Sequence, residues 1–197
     1  MSSVNGQGLP PSLAMRDAAR RGDADYLIDA LTDPEARGHA ALRLGDLGDR
    51  RAVPALIRNL RVRNDLDRNG TIKALGKIGD PSAIPALVEV AGEDDAAGVR
   101  TTAIDSLVKL GSPDGGKMLA QLAVDPAPLL STCTPYFDAP TMRELRPARL
   151  RQIRKWATRR LRELHVIDAA PTLTAALGTV DFRHRMRLRR TIRSLRS

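Results

Sequence analysis

A chain of 197 residues with 42% hydrophobic and 28% charged residues, a mean hydropathy of −0.27 and a single cysteine has enough apolar surface for one ordinary domain or two small ones. This composition excludes a disulfide-stapled scaffold, a collagen-like fibre and a wholly disordered chain, and no apolar run reaches the roughly 18 residues of a membrane span. The net charge of +9 is uneven: residues 143–197 hold 16 Arg/Lys against 4 Asp/Glu, and residues 1–142 hold 16 against 19. An anionic partner for the C-terminal third, whether nucleic acid, an acidic protein face or anionic lipid, is one expectation. A compositional reading competes with it, because arginine outnumbers lysine 27 to 5 over the chain, as a GC-rich genome would produce.

Residues 1–12 are rich in Gly, Pro, Ser and Asn and lack the basic-then-apolar layout of a signal peptide, so they read as a disordered tail on a cytoplasmic protein. Ser12 to Arg21 reads as a helix that ends at Gly22 and caps the N-terminal end of the domain. Beyond it a pattern recurs about every 31 residues. Arg37 is followed by Ala40, Leu44, Leu47 and Gly48, Arg68 by Thr71, Leu75, Ile78 and Gly79, and Arg100 by Ala103, Leu107, Leu110 and Gly111. The same offsets of 3, 7, 10 and 11 recur at Arg154 with Ala157, Leu161, Leu164 and His165, and at Arg185 with Leu188, Ile192, Leu195 and Arg196. Offsets 3, 7 and 10 lie on one helical stripe, and a glycine just beyond it suits a left-handed C-cap.

A shorter helix is predicted ahead of each of these, opening at Pro54, Pro85 and Pro171, because a proline in the first turn gives up an N–H that had no partner. The aspartates between the paired helices, Asp33, Asp65, Asp67, Asp94, Asp95 and Asp181, are expected to cap the second helix. The repeat arginines are expected to bridge adjacent repeats to these aspartates in a ladder.

The strings from Arg37 to Asp49 and from Arg68 to Leu87 resemble HEAT repeats, and most closely the short HEAT-like repeat found in phycobilin lyases. The resemblance is strong over 23–112, weaker over 148–197 and absent from the tail and from 123–147. It implies an all-α fold, an α-solenoid coiled as a right-handed superhelix of about five helix-turn-helix repeats whose second helices line a concave face. Residues 13–197 then form a single domain, with a non-repeat insertion at about 123–147 that delays the fourth second-helix.

Catalytic chemistry is weakly signalled. Gly111 to Lys117 matches most of a phosphate-binding loop, but Met118 stands where a magnesium-holding hydroxyl belongs, and a helix rather than a strand precedes it. His39, His165 and His184 form no pair at metal-ligand spacing, so no metal and no cofactor are expected; His165 reads as a capping or surface histidine. Cys133, alone in a loop, reads as inert. Trp156 is the one aromatic expected near a concave face, and packing against the insertion is its favoured role.

The resulting expectation is a non-enzymatic scaffold or adaptor that binds another protein through its concave face. The alternative is a nucleic-acid binder, by fold-level analogy to HEAT-like DNA glycosylases, using Lys155, Arg159, Arg160, Arg187, Arg190 and Arg193 on phosphates. Arg159 and Arg190 at offset 5 and Arg160 at offset 6 lie away from the apolar stripe, so they are its leading candidates.

Overall fold

Capping and burial turn the repeat into eleven α-helices in the computed structural model, which describes residues 11–128 and 139–196. Helix α1 (Pro11–Arg21) is followed by five pairs: α2 (Ala24–Ala30) with α3 (Arg37–Leu47), α4 (Val53–Asn59) with α5 (Asp65–Ile78), α6 (Ile84–Glu93) with α7 (Ala97–Lys109), α8 (Pro113–Val124) with α9 (Ala139–Glu163), and α10 (Ala170–Ala175) with α11 (Phe182–Arg196). Strands are absent among the described residues, and no described helix is long and apolar enough to cross a membrane. The expected tail at 1–12 lies outside the described residues except for its last two positions, which open α1. Of the insertion expected at 123–147, residues 129–138 lie outside, 123–124 finish α8, and 139–147 belong to α9. The fourth second-helix thus extends 15 residues ahead of its repeat arginine and carries Pro147 in its interior.

The stripe at offsets 3 and 7 is buried in all five second helices: Ala40 and Leu44, Thr71 and Leu75, Ala103 and Leu107, Ala157 and Leu161, Leu188 and Ile192. Gly22, Gly48, Gly79 and Gly111 all adopt φ between 70 and 75°, and His165 takes the same left-handed place with φ 48°. The expected aspartate caps hold only in part: Asp181 accepts from His184 N at the start of α11, but α5 is capped by Asn64, whose Oδ1 accepts from Leu66 N at 2.9 Å, while Asp65 and Asp67 sit inside its first turn. The N-caps of α3 and α7 are Ala36 and Ala96, with Asp33 and Asp94 accepting from Glu35 N and Ala96 N in the turns before them. Asp49 and Asp80 similarly cap the 3-10 turns that lead into α4 and α6, accepting from Arg51 N and Ser82 N.

Second helices pack against second helices more closely than first helices against first helices, so the array curves toward α3, α5 and α7 and places them on its concave side. The seam is made of small residues. A Cβ at Gly45 would lie 2.7 Å from Ala74 Cα, and one at Gly76 would lie 2.7 Å from Ser106 Oγ, so offset 8 of one repeat meets offset 6 of the next at backbone range. At the third junction those offsets carry Val108 and Arg160, and α7 and α9 hardly meet. The fourth repeat is held instead through α8, where a Cβ at Gly115 would lie 2.6 Å from Leu107 Cβ.

Candidate functional site

The gap between α7 and α9 is a groove of about 270 Å³ on the concave side. Lys73 and Lys77 on α5 form one wall, Thr101, Thr102, Asp105 and Lys109 on α7 form its middle, and Trp156 on α9 closes it. These positions are offsets 1, 2, 5 and 9 of their repeats, the helix face opposite the core stripe. Arg160 spans the gap, its Nε 2.5 Å from Asp105 Oδ1 and a further guanidinium nitrogen 2.8 Å from Glu163 Oε2. Lys109 Nζ also lies 2.9 Å from Asp105. Burial pushes the Asp105 carboxyl up, yet the hydrogen bonds from Arg160 and Lys109 outweigh it and hold the group below the usual carboxylate range. Arg160 is raised by the same hydrogen bond.

The residues chosen from sequence as phosphate contacts therefore separate. Arg160 is committed to Asp105 and Glu163 as the tie between the third and fourth repeats, because offset 6 faces the preceding repeat and not solvent. Arg159 and Lys155 are exposed on α9, and Arg159 pairs with Glu163 at 3.2 Å. Arg190 and Arg193 are exposed on α11 and Arg187 is half-buried. Arg193 belongs with Arg189 and Arg196 to the outer end of the array, beside Thr174, Leu177 and Ile192. Arg189 and Arg193 occupy offsets 4 and 8, which carry Ile72 and Gly76 in the second repeat, and both are exposed on α11. Trp156 is half-buried in the groove wall and packs on the core cluster. The expected contact of Trp156 with the insertion concerns residues of which 129–138 lie outside the described residues, as does Cys133.

The repeat arginines depart from the expected ladder. Four of the five guanidinium groups reach back to the turn that precedes their own helix: Arg37 to Thr32 O at 3.4 Å, Arg68 to Val62 O and Arg63 O at 2.9 and 2.8 Å, Arg100 to Asp94 O, and Arg185 to Val180 O at 3.2 Å, while Arg154 lies 3.7 Å from the Asp125 carboxylate just after α8. Five donors on a short fork satisfy the carbonyls left unpaired where the first helix ends, which a lone carboxylate partner would not need. Arg68 makes the inter-repeat bridge as well, bonding Asp94 Oδ2 at 2.8 Å and Asp95 Oδ1 at 3.2 Å. Burial lowers the Arg68 pKa and its bonds to Asp94 more than restore it, so the guanidinium ends above its ordinary value.

Two further sequence expectations resolve in the fourth and fifth repeats. The near-match to a phosphate loop is the first turn of α8, where Gly115 and Gly116 are buried against Leu107 and Val166. His184, which the sequence left without a role, is buried and donates from Nε2 to Ala123 O at 2.7 Å, joining the fifth repeat to the end of α8. The groove itself had a legible signal: offset 8 reads Gly45, Gly76, Val108, Arg162 and Arg193, so the close seam is lost after the second repeat.

Residues 36–61 match the PBS lyase HEAT-like repeat and residues 63–131 match HEAT repeats. Residues 36–131 of the chain thus carry HEAT repeats. HEAT repeats generally serve as protein-interaction scaffolds and are typically non-catalytic. Among curated proteins, none matches the chain at a significant level. The matches run from α3 to α8, leaving out α1 and α2, and stop short of α9, whose residues close the groove.

Proposed function

We propose that this HEAT-repeat chain is a non-enzymatic adaptor that binds a protein partner on the face lined by its second helices. One observation carries the reading: Leu42 and Met186, 42% and 38% exposed, and the half-buried Trp156 stand on that face at offsets 5, 1 and 2, as do Lys73, Lys77, Lys109 and Lys155. Apolar and aromatic anchors set in a charged surround are the composition of a protein interface. A photo-crosslinking side chain placed at Leu42 should capture a defined protein, whereas one at Glu89, exposed on the first helix α6, should not. Equal capture from both positions, or a turnover abolished by a one-residue change, overturns the adaptor reading.

A second reading rests on α11, whose 15 residues hold seven arginines and no acid. Such a helix attracts a phosphate backbone, with Lys155, Arg159, Arg187, Arg190 and Arg193 as contacts. Anisotropy titration against duplex DNA and structured RNA at low and physiological salt tests it. Affinity that falls steeply with salt and is lost in the Arg159→Glu, Arg190→Glu double variant supports nucleic-acid binding, and absence of binding at low salt excludes it.

A further inference from the structure

We propose that the groove between α7 and α9 receives an extended acidic segment of the protein partner, with carboxylates on Lys73, Lys77 and Lys109 and a neighbouring apolar side chain on Trp156. This deepens the adaptor reading and rests on it. The chain has five lysines, and three of them line this one groove of about 270 Å³. Apart from Lys117 and Lys155 the cations elsewhere are arginines, and the buried arginines are bound by their forks to carbonyls and carboxylates. The groove lysines are held loosely. Lys77 and Lys109 keep side chains 52% and 46% exposed, each with one aspartate, Asp46 at 2.6 Å and Asp105 at 2.9 Å. The Lys77–Asp46 pair is exposed on both sides and contributes only about 0–1 kcal/mol, so an incoming carboxylate exchanges there with little loss, and the Lys109 ammonium, with three N–H donors, can bind a second carboxylate beside Asp105. Lys73 is exposed and has no ion pair among the described residues. Asp105 does not cancel this charge, because Arg160 already neutralises it.

The remaining groups choose a peptide over a nucleic acid. Thr101 and Thr102 both donate their hydroxyls to Gly98 O at 2.9 Å, so what they offer the groove is lone pairs. Asp105 in the groove and Asp46 beside Lys77 are acceptors too. An extended polypeptide brings N–H donors to meet acceptors between its carboxylates, whereas a phosphodiester backbone brings acceptors alone and meets the wall carboxylates with like charge. The space is of side-chain size, too narrow for a duplex. Trp156 offers a rigid apolar face at the closed side, the type of anchor that concentrates binding energy.

Trp156 is the only tryptophan in the chain, so the full-length protein reports on its own groove. Its emission is followed while a short peptide of alternating Glu and Leu is added, with a Gln and Leu peptide of equal length and single-stranded oligouridine as the other arms. The expected result is a saturable change with the acidic peptide, absent with the neutral one, and weakened about tenfold or more by the Lys73→Glu, Lys109→Glu double variant. Arg190→Glu should leave it unchanged. The lysines are exposed, so helical circular dichroism should match wild type; Lys73→Gln with Lys109→Gln, which adds no repulsion, should show a smaller loss in the same direction. A change produced by oligouridine and not by the peptide overturns both this proposal and the adaptor reading. Peptide binding that ignores the lysines, or no response from Trp156 to the peptide, overturns the groove alone and leaves the adaptor to the Leu42 crosslinking test.

Discussion

Gly45→Ala should destabilise the protein even though it replaces the poorest ordinary helix former with the best. The added methyl would lie 2.7 Å from Ala74 Cα and 3.0 Å from Ala74 Cβ, where carbon atoms need about 3.5–4.0 Å, so α5 must retreat by roughly 1 Å along the tightest seam in the array. Overpacking of this kind costs about 1–3 kcal/mol, and a collision with backbone belongs at the upper part of that range. Alanine returns about 1 kcal/mol of helix propensity. The net loss is about 1–2 kcal/mol, a fall in Tm of about 2–8 °C for a chain of this size. Gly70→Ala is the matched control, in the interior of α5 with its nearest neighbour, Gly38 O, at an ordinary 3.9 Å. It should gain about 0.5–1 kcal/mol and raise Tm by about 1–4 °C. Thermal and urea unfolding followed by helical circular dichroism measures both. If Gly45→Ala stabilises as much as Gly70→Ala, the close approach of α3 and α5 is wrong, and with it the account of why the groove opens at Val108 and Arg160.

Single contacts set the other expected outcomes. Arg68→Met leaves the Asp94 carboxylate, 8% exposed, without its counter-charge and the carbonyls of Val62 and Arg63 without their guanidinium donor, and should cost about 3 kcal/mol in urea unfolding; a loss below a surface pair's worth refutes the buried clamp. His165→Gly, at φ 48° where glycine has no steric penalty, should stabilise by about 0.5–1 kcal/mol, read as a higher urea midpoint. Burial, against the pull of the hydrogen bond to Ala123 O, holds the His184 imidazole below its ordinary value, so the folded chain takes up that proton at lower pH than the unfolded chain. The contribution of His184 is therefore fully present above its ordinary pKa of about 6.5 and is lost as pH falls toward the folded value. His184→Gln should flatten the decline of the denaturation midpoint between neutral and mildly acid pH, and an unchanged slope refutes it.

The repeat was legible because it rests on short-range rules. Offsets 3 and 7 from each arginine fix one helical face whatever the neighbours are, and Ala40, Leu44, Leu161 and Leu188 are buried where that stripe put them. Left-handed caps at Gly48, Gly79 and Gly111 follow from local backbone sterics, and His165 fills the same register with the residue type that tolerates it less well. Helix pairs and their order follow from those two signals, since a single pair cannot bury its own face.

Position within one helix does not say which residue of the next repeat stands opposite, or how far away. Arg160 looked free because offset 6 leaves the core stripe, yet that offset faces the preceding repeat, where Ala74 and Ser106 touch glycines and Arg160 instead finds Asp105. The guanidinium of each repeat arginine was expected to reach across repeats and mostly folds back on its own turn, because the nearest unpaired groups there are carbonyls at the end of the first helix. The local sequence thus determines the helices, their buried faces and their ends; only the distances between stacked helices decide that Lys73, Lys77, Lys109 and Trp156 share one groove. Those distances depend on side-chain volume at seams formed by repeats 31 to 54 residues apart, a pairing that no local pattern contains.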